Sequence, residues 1–206
     1  MKAREEIMAR IRSAHVAAPG RATRRDYSHV REHGDRLGQF VQRVEDYKAT
    51  VVRTTPEGVA AAVANCLDGA RSVVVPTGLD PSWVPDGLDI VGDEPALRAD
   101  QLDVVDAVLT CAMVAIAETG TIVLDHTAGQ GRRALTLVPD RHVCVVTADQ
   151  VVGDVPEAVA RLGPSVGRGR PLTWISGASA TVDIELQRVE GVHGPRTLCV
   201  VLVEPT

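Results

Sequence analysis

A carboxylate, two hydroxyls and a glycine interrupt an apolar stretch of the chain at Glu118-Thr119-Gly120-Thr121. Burying such groups without partners is costly, so we expect this segment at the end of a sheet, where Gly120 permits close approach of a ligand to the backbone. Glu118 is therefore a candidate catalytic residue, and Thr119, Gly120 and Thr121 are candidates for substrate binding. The alternative is an ordinary hairpin turn that leaves Glu118 in solvent.

A second polar segment, Ser176-Gly177-Ala178-Ser179, follows a strand-like run and precedes residues whose apolar spacing predicts a helix over 180–190. Free amides and hydroxyls at the positive end of a helix dipole bind carboxylates or phosphates. Ser176, Gly177, Ser179 and Thr181 are therefore candidate substrate-binding residues. The alternative is that Ser179 or Thr181 only caps the helix.

Two further segments carry a histidine and a pair of arginines. His193 lies in the glycine- and proline-containing loop 191–196, where it can transfer a proton near neutral pH or donate to an anionic substrate, or serve only as loop structure. Arg132 and Arg133 end a glycine-rich segment, and guanidinium groups bind carboxylate or phosphate in bidentate geometry. The rival interpretation is that both arginines pair with acidic side chains between residues 80 and 118.

Strand-like and helix-like stretches alternate from residue 49 onward and must position these segments. Helices are predicted over 56–68 and 155–162, and short β-branched or apolar runs predict strands at 50–52, 72–75, 88–91, 121–124, 142–146, 172–175 and 197–203. This alternation predicts an α/β fold with a largely parallel sheet covered by helices. Ligands of such sheets bind beyond strand ends, so residues 118–121 and 176–179 are expected to converge at one edge of the sheet.

The amino-terminal part differs from the rest, because its charged residues are mostly basic whereas the remainder is acidic. Helices are predicted over about 3–16 and 29–47, with a linker around Pro19-Gly20. We therefore predict a helical arm over 1–48 and an α/β domain over 49–206.

Composition excludes several classes of protein. A net charge of −5 and an aromatic content of 2% argue against nucleic-acid binding, and no apolar run approaches the length of a membrane span. The charged amino terminus lacks a signal-peptide core, so a cytoplasmic location is expected. The chain has four cysteines, each widely spaced in apolar surroundings, which predicts buried reduced thiols and no metal site: Cys66, Cys111, Cys144 and Cys199.

Taken in order, these segments resemble the lactate-utilisation protein C family, that is, the LUD domain. The resemblance rests on 115–124, 131–135 and 139–143, and it continues through Ile175-Ser176-Gly177-Ala178-Ser179, Asp183-Ile184-Glu185 and 191–195. It is strong over about 105–203 and loose before that. Ala178 stands where the family usually has proline, which loosens this loop but keeps both serines and the glycine.

The resemblance implies a fold related to the sugar-phosphate isomerase and CoA-transferase superfamily. It also implies a role in oxidising L-lactate to pyruvate with two iron–sulfur partner proteins, this chain being the subunit without clusters or other cofactor. A small carboxylate is the expected ligand. The alternatives are a stand-alone enzyme acting on a phosphorylated or acyl-CoA compound, and a non-enzymatic partner that regulates the iron–sulfur subunits.

Overall fold

A computed structural model of the chain describes residues 3–14, 34–182 and 188–205. Its helices are α1 (Ala3–Ala14), α2 (Arg36–Asp46), α3 (Val59–Cys66), α4 (Ala99–Leu102) and α5 (Val155–Gly167). Its strands are β1 (Thr50–Thr54), β2 (Ser72–Val74), β3 (Asp89–Val91), β4 (Ala107–Cys111), β5 (Val114–Ile116), β6 (Thr121–Leu124), β7 (Arg141–Thr147), β8 (Val151–Val152), β9 (Thr173–Ile175), β10 (Ala180–Val182), β11 (Arg188–Glu190) and β12 (Thr197–Val203).

Six strands form an all-parallel sheet in the order β1-β12-β7-β4-β2-β3, which confirms the predicted α/β fold with a parallel sheet. A second sheet of four strands has the order β8-β5-β6-β9 and was not predicted. The chain first passes from the six-stranded sheet to the second sheet within the apolar stretch that contains β4 and β5.

The two sheets pack face to face through alternating residues of the central strands. Cys144 and Val146 of β7 belong to the same core cluster as Ile122 and Leu124 of β6 in the second sheet. Val143 and Val145 face the opposite side, where α3 covers the parallel sheet. Helix α5 covers the outer face of the second sheet. The layers are therefore a helix, the parallel sheet, the second sheet and another helix.

Helix α2 is part of this core, although it belongs to the predicted arm. Asp35 caps the helix by accepting a hydrogen bond from the Gly38 amide at 2.8 Å, and Phe40 and Val44 are fully buried against both sheets. By contrast, α1 buries none of its residues in the described part of the chain. The linker around Pro19-Gly20 and the predicted start of the second helix, 29–33, lie outside the described residues. The boundary at residue 48 stays a prediction.

The predicted helix over 180–190 is wrong. Ala180–Val182 and Arg188–Glu190 are instead two antiparallel strands that pair with each other, and 183–187 lie outside the described residues. Three of their six residues, Thr181, Val182 and Val189, are β-branched, and such residues favour extended structure. No helix dipole therefore follows Ser179, and neither the capping interpretation nor the helix-based anion site applies.

The prediction of four reduced cysteines is also wrong in part. Cys66 of α3 and Cys199 of β12 form a disulfide, because the helix lies directly over that strand. Cys111 and Cys144 are free thiols. Within the described part of the chain, no helix combines the length and apolar character needed to cross a membrane.

Candidate functional site

A cleft of about 220 Å³ opens beside the amino ends of β7 and β12. We call it the main cleft. Its walls come from four parts of the chain: Arg133, Thr136 and Leu137; residues 173–179; residues 193–195; and the strand residues His142 and Leu198. His142 and Leu198 are paired in register at the second position of their strands, so they lie side by side.

The candidate residues after β9 meet the loop of His193 at this cleft. The Ser179 amide donates to the carbonyl of Pro195 at 2.8 Å, and the Ser179 carbonyl accepts from the Gly191 amide at 2.9 Å. The Ser179 hydroxyl accepts from the His193 amide at 3.2 Å. These three bonds hold the two loops together, and the proton of the Ser179 hydroxyl can still be donated to a ligand.

The two predicted polar segments converge, as expected. The hydroxyls of Thr121 and Ser176 are 2.7 Å apart, and the Thr121 hydroxyl is also 2.7 Å from that of Thr119. The reason is that β6 and β9 are neighbouring antiparallel strands of the second sheet. Ser176 lines the main cleft, whereas Thr119 and Thr121 lie behind it.

Glu118 and Gly120 lie in the four-residue turn between β5 and β6, and neither lines the main cleft. Glu118 is exposed, and its amide donates to the carbonyl of Gly153 at 3.0 Å. A Cβ atom at Gly120 would lie 2.7 Å from the backbone of Arg43. This glycine therefore allows the turn to pack against α2, which is a structural role that the sequence did not indicate.

Gly177 has a similar role. Its φ of 94° is unfavourable for other residues, and a Cβ atom there would lie 2.6 Å from that of Tyr47. Gly177 therefore packs on the end of α2 while it lines the main cleft. The remaining candidate, Thr181, lies in β10, opposite Val189 of β11.

The two arginines point to different places. The Arg132 guanidinium binds both carboxylate oxygens of Asp93, at 2.7 and 2.9 Å, and also donates to the carbonyl of Leu97. Burial opposes ionisation of Asp93, but the bonds from Arg132 and from the Leu97 amide outweigh it and lower the pKa of this carboxyl. Arg133 lies at the main cleft, and no acidic side chain of the described residues pairs with it. Arg132 fits the salt-bridge interpretation, and Arg133 fits the anion-binding interpretation.

His142 also lines the main cleft, but sequence reasoning did not select it. It is 1% exposed, its Nε2 atom lies 2.8 Å from the Thr110 hydroxyl, and burial lowers its pKa to about 4. The imidazole is therefore neutral near pH 7. The signal that could have revealed it is a histidine within an otherwise apolar strand, since buried histidines are uncommon and usually have a partner.

His126 supports one wall of the main cleft from behind. Its Nδ1 atom lies 2.9 Å from the carbonyl of Gly131 and must donate to it, because a carbonyl oxygen only accepts. In the neutral ring, Nε2 then accepts from the Thr173 hydroxyl at 2.8 Å. This turns the Thr173 hydroxyl toward His126. His126 has a φ of 58°, which is uncommon for a residue with a side chain.

Residues 82–203 match the family model described as the LUD domain, and that range contains all the residues that line the main cleft. The chain is 54% identical over 167 residues to lactate utilization protein C of Deinococcus radiodurans, covering 81% of this chain and 79% of that protein. It is 27% identical over 214 residues to lactate utilization protein C of Halalkalibacterium halodurans, covering 94% and 90% of the two chains.

A crystal structure of a DUF162 family protein from Deinococcus radiodurans has a similar fold. The TM-score is 0.73 at 46% sequence identity, and the match covers 82% of this chain and 96% of that one. The fold, the family model and the relatives agree with one another. The chain therefore belongs to the LUD domain family and is a homologue of lactate utilization protein C.

Proposed function

We propose that this chain takes part in lactate utilisation by binding a small carboxylate, such as L-lactate or pyruvate, in the main cleft. The observation that carries the proposal is that two arginines adjacent in the sequence have different surroundings. Arg132 is held by Asp93, whereas Arg133 lies at the cleft without an acidic partner among the described residues. A guanidinium group in that position can bind a carboxylate through two parallel hydrogen bonds.

Neutral donors on the facing loops complete a carboxylate site. The Ser179 hydroxyl has a proton to donate, and the Ser176 hydroxyl lies on the same wall. Hydrogen bonds within the protein hold the loop of Ser176 and Ser179 and the loop of His193 in place. The entropic cost of ordering the backbone on binding is therefore small. The volume of the cleft suits a ligand of a few heavy atoms.

The names of the relatives support assignment to lactate utilisation. Within such a system, we propose that this chain is the subunit without a cofactor, working with iron–sulfur partner proteins. The chemistry of its thiols supports this assignment, because ligation of a cluster requires thiolates. Cys66 and Cys199 are joined to each other, and burial raises the pKa of the Cys144 thiol to about 12.

His193 is the better placed of the two candidates for proton transfer. It lines the main cleft next to Ser179, whereas Glu118 lies in a turn outside it. His193 can therefore exchange a proton with the hydroxyl of a ligand bound in this cleft. Glu118 has no corresponding access to a ligand in this cleft.

Titration calorimetry with L-lactate and pyruvate tests the proposal on the intact chain. Arg133→Gln should weaken binding by about 10- to 100-fold, which is the effect of losing one charge-assisted hydrogen-bonding group. Arg168→Gln is the matched control, because Arg168 follows α5 and does not line the cleft. Equal affinity in wild type and Arg133→Gln, or absence of binding in wild type, would contradict the proposal.

Reconstitution tests the assignment to a multiprotein system. Lactate-dependent reduction of an electron acceptor by the iron–sulfur partners should require this chain, and Arg133→Gln should lower the rate more than Arg168→Gln does. Full activity of the partners without this chain would exclude a direct role in the oxidation.

A further inference from the structure

Three buried polar side chains line the main cleft, and two of them have their hydrogen bonds within the protein. The Thr136 hydroxyl donates to the carbonyl of Arg133 at 3.3 Å, and the Thr173 hydroxyl pairs with Nε2 of His126 at 2.8 Å. The third is His142, which is 1% exposed. Its Nε2 atom is paired with Thr110, but its Nδ1 atom has no partner among the described residues.

A buried nitrogen without a partner is unfavourable, and such groups in native proteins usually meet a water molecule or a ligand. His142 lies on the face of β7 that it shares with Cys144 and Val146, which point toward the second sheet. It therefore forms the deep wall of the main cleft, whereas Arg133 is exposed at its mouth. A ligand whose carboxylate binds Arg133 would direct the rest of the molecule inward.

The chemistry of the two groups differs. Arg133 supplies a positive charge for an anion, but His142 is a neutral imidazole near pH 7, because burial lowers its pKa to about 4. A neutral ring nitrogen is suited to an uncharged oxygen. Depending on the tautomer, Nδ1 donates to a keto oxygen or accepts from a hydroxyl.

We infer that His142 is the residue that recognises the oxygen on carbon 2 of the ligand, and that the main cleft selects 2-hydroxy and 2-oxo acids over simple carboxylates. This inference rests on the proposed function, which places a carboxylate at Arg133. It adds a specificity-determining residue and defines the substrate class by the oxygen on the carbon next to the carboxylate.

Thr110 is the positioning residue for His142. Its hydroxyl is fully buried on the neighbouring strand β4, where it holds Nε2 and fixes the orientation of the ring. The orientation leaves Nδ1 as the free polar atom of the side chain. A partner on the adjacent strand therefore sets which nitrogen is available to the ligand.

The test compares pyruvate, L-lactate and propionate, which lacks the oxygen on carbon 2. By calorimetry, the wild-type chain should bind pyruvate and L-lactate about tenfold more tightly than propionate. His142→Phe should remove this preference and change the affinity for propionate by less than about twofold. Arg133→Gln should weaken binding of all three acids by similar factors.

The outcomes separate the two proposals. Equal wild-type affinity for the three acids, or a uniform loss of affinity in His142→Phe, overturns the inference about His142 and leaves the carboxylate proposal in place. Absence of binding of all three acids by the wild-type chain overturns both.

A second measurement is made on the wild-type side chain of His142, so its result does not depend on the folding of His142→Phe. In the chain labelled with ¹⁵N-histidine, pyruvate should shift the Nδ1 resonance of His142, whereas propionate should not. The resonances of His142 are assigned from Thr110→Val, which removes the partner of Nε2. An Nδ1 resonance that responds equally to both acids, or to neither, overturns the inference.

Discussion

The hydroxyl of Thr121 lies 2.7 Å from the hydroxyl of Ser176, although 55 positions separate the two residues in sequence. This contact joins the first residue of β6 to the loop after β9, and that loop forms one wall of the main cleft. Through the further contact of Thr121 with Thr119, three hydroxyls form a continuous chain that begins at Ser176 in this wall and extends behind it. The hydroxyl chain therefore supports the position of Ser176.

The first prediction concerns this hydroxyl chain. Thr121→Val should lower the free energy of unfolding by about 1–2 kcal/mol, because Thr121 is 5% exposed and loses two hydrogen bonds. Urea unfolding measures the change. Thr197→Val, at the exposed start of β12, is the matched control and should change stability by less than about 0.5 kcal/mol. Equal effects of the two substitutions would contradict the structural role of the contact.

The second prediction separates packing from ligand binding at Gly177. Gly177→Ala should destabilise the fold by about 2–4 kcal/mol, because the left-handed backbone is unfavourable for alanine and its Cβ atom would overlap that of Tyr47. Gly169→Ala is the control, since Gly169 has a φ of 71° and open space around it. It should cost only about 1–2 kcal/mol.

Thermal unfolding measures the stability of both glycine variants, and calorimetry measures their affinity for the ligand. If Gly177→Ala is no less stable than Gly169→Ala, the contact with Tyr47 does not determine the choice of glycine at position 177. A loss of ligand binding at Gly177 without a loss of stability would assign this glycine to the ligand instead.

The third prediction concerns the cysteines. In denaturant without reductant, two thiols per chain should react with a thiol reagent, namely Cys111 and Cys144, and all four cysteines should react after reduction. Reduction should lower the free energy of unfolding by about 2–5 kcal/mol, because the disulfide closes a long loop. Four reactive thiols before reduction would contradict the bond. Since disulfides are rare in reducing compartments, the same measurement bears on the expected cytoplasmic location.

The fourth prediction concerns acid stability. The pKa of His142 is about 4 in the folded chain against an ordinary value of 6.5, so the unfolded chain binds more protons between these values. The contribution of His142 to stability is therefore fully present above pH 6.5 and is lost as the pH is lowered toward 4, by about 3 kcal/mol in all. Urea unfolding at several pH values measures the slope. In His142→Phe the slope between pH 5 and 6.5 should be much smaller, and an unchanged slope would exclude His142 as its origin.

Much of the fold could be predicted from local patterns, because its central strands contain continuous apolar runs such as residues 143–146. The convergence of the segments after β5 and β9 could also be predicted, since each ends an apolar strand with small polar residues. The prediction of a helix over 180–190 was wrong because apolar residues at helical spacing are a weak signal in a short segment. β-branched residues such as Thr181 and Val189, which pair with each other across two antiparallel strands, favour extended structure there.

Other features depend on contacts between distant residues. The disulfide joins Cys66 to Cys199, which are 133 residues apart, and no spacing rule connects them. The different roles of Arg132 and Arg133 depend on the distant Asp93. The sequence shows His142 as a histidine within an apolar strand, but a role in binding is indicated by the cleft beside it.

A crystal structure of the chain with pyruvate tests most directly whether the main cleft holds a small carboxylate at Arg133. We expect pyruvate in the main cleft, with its carboxylate bound to the Arg133 guanidinium and its keto oxygen directed toward His142. Pyruvate bound elsewhere would contradict the proposal, for example in the separate cavity beside His126 and Arg132. A main cleft that stays free of ligand at saturating pyruvate would contradict it equally.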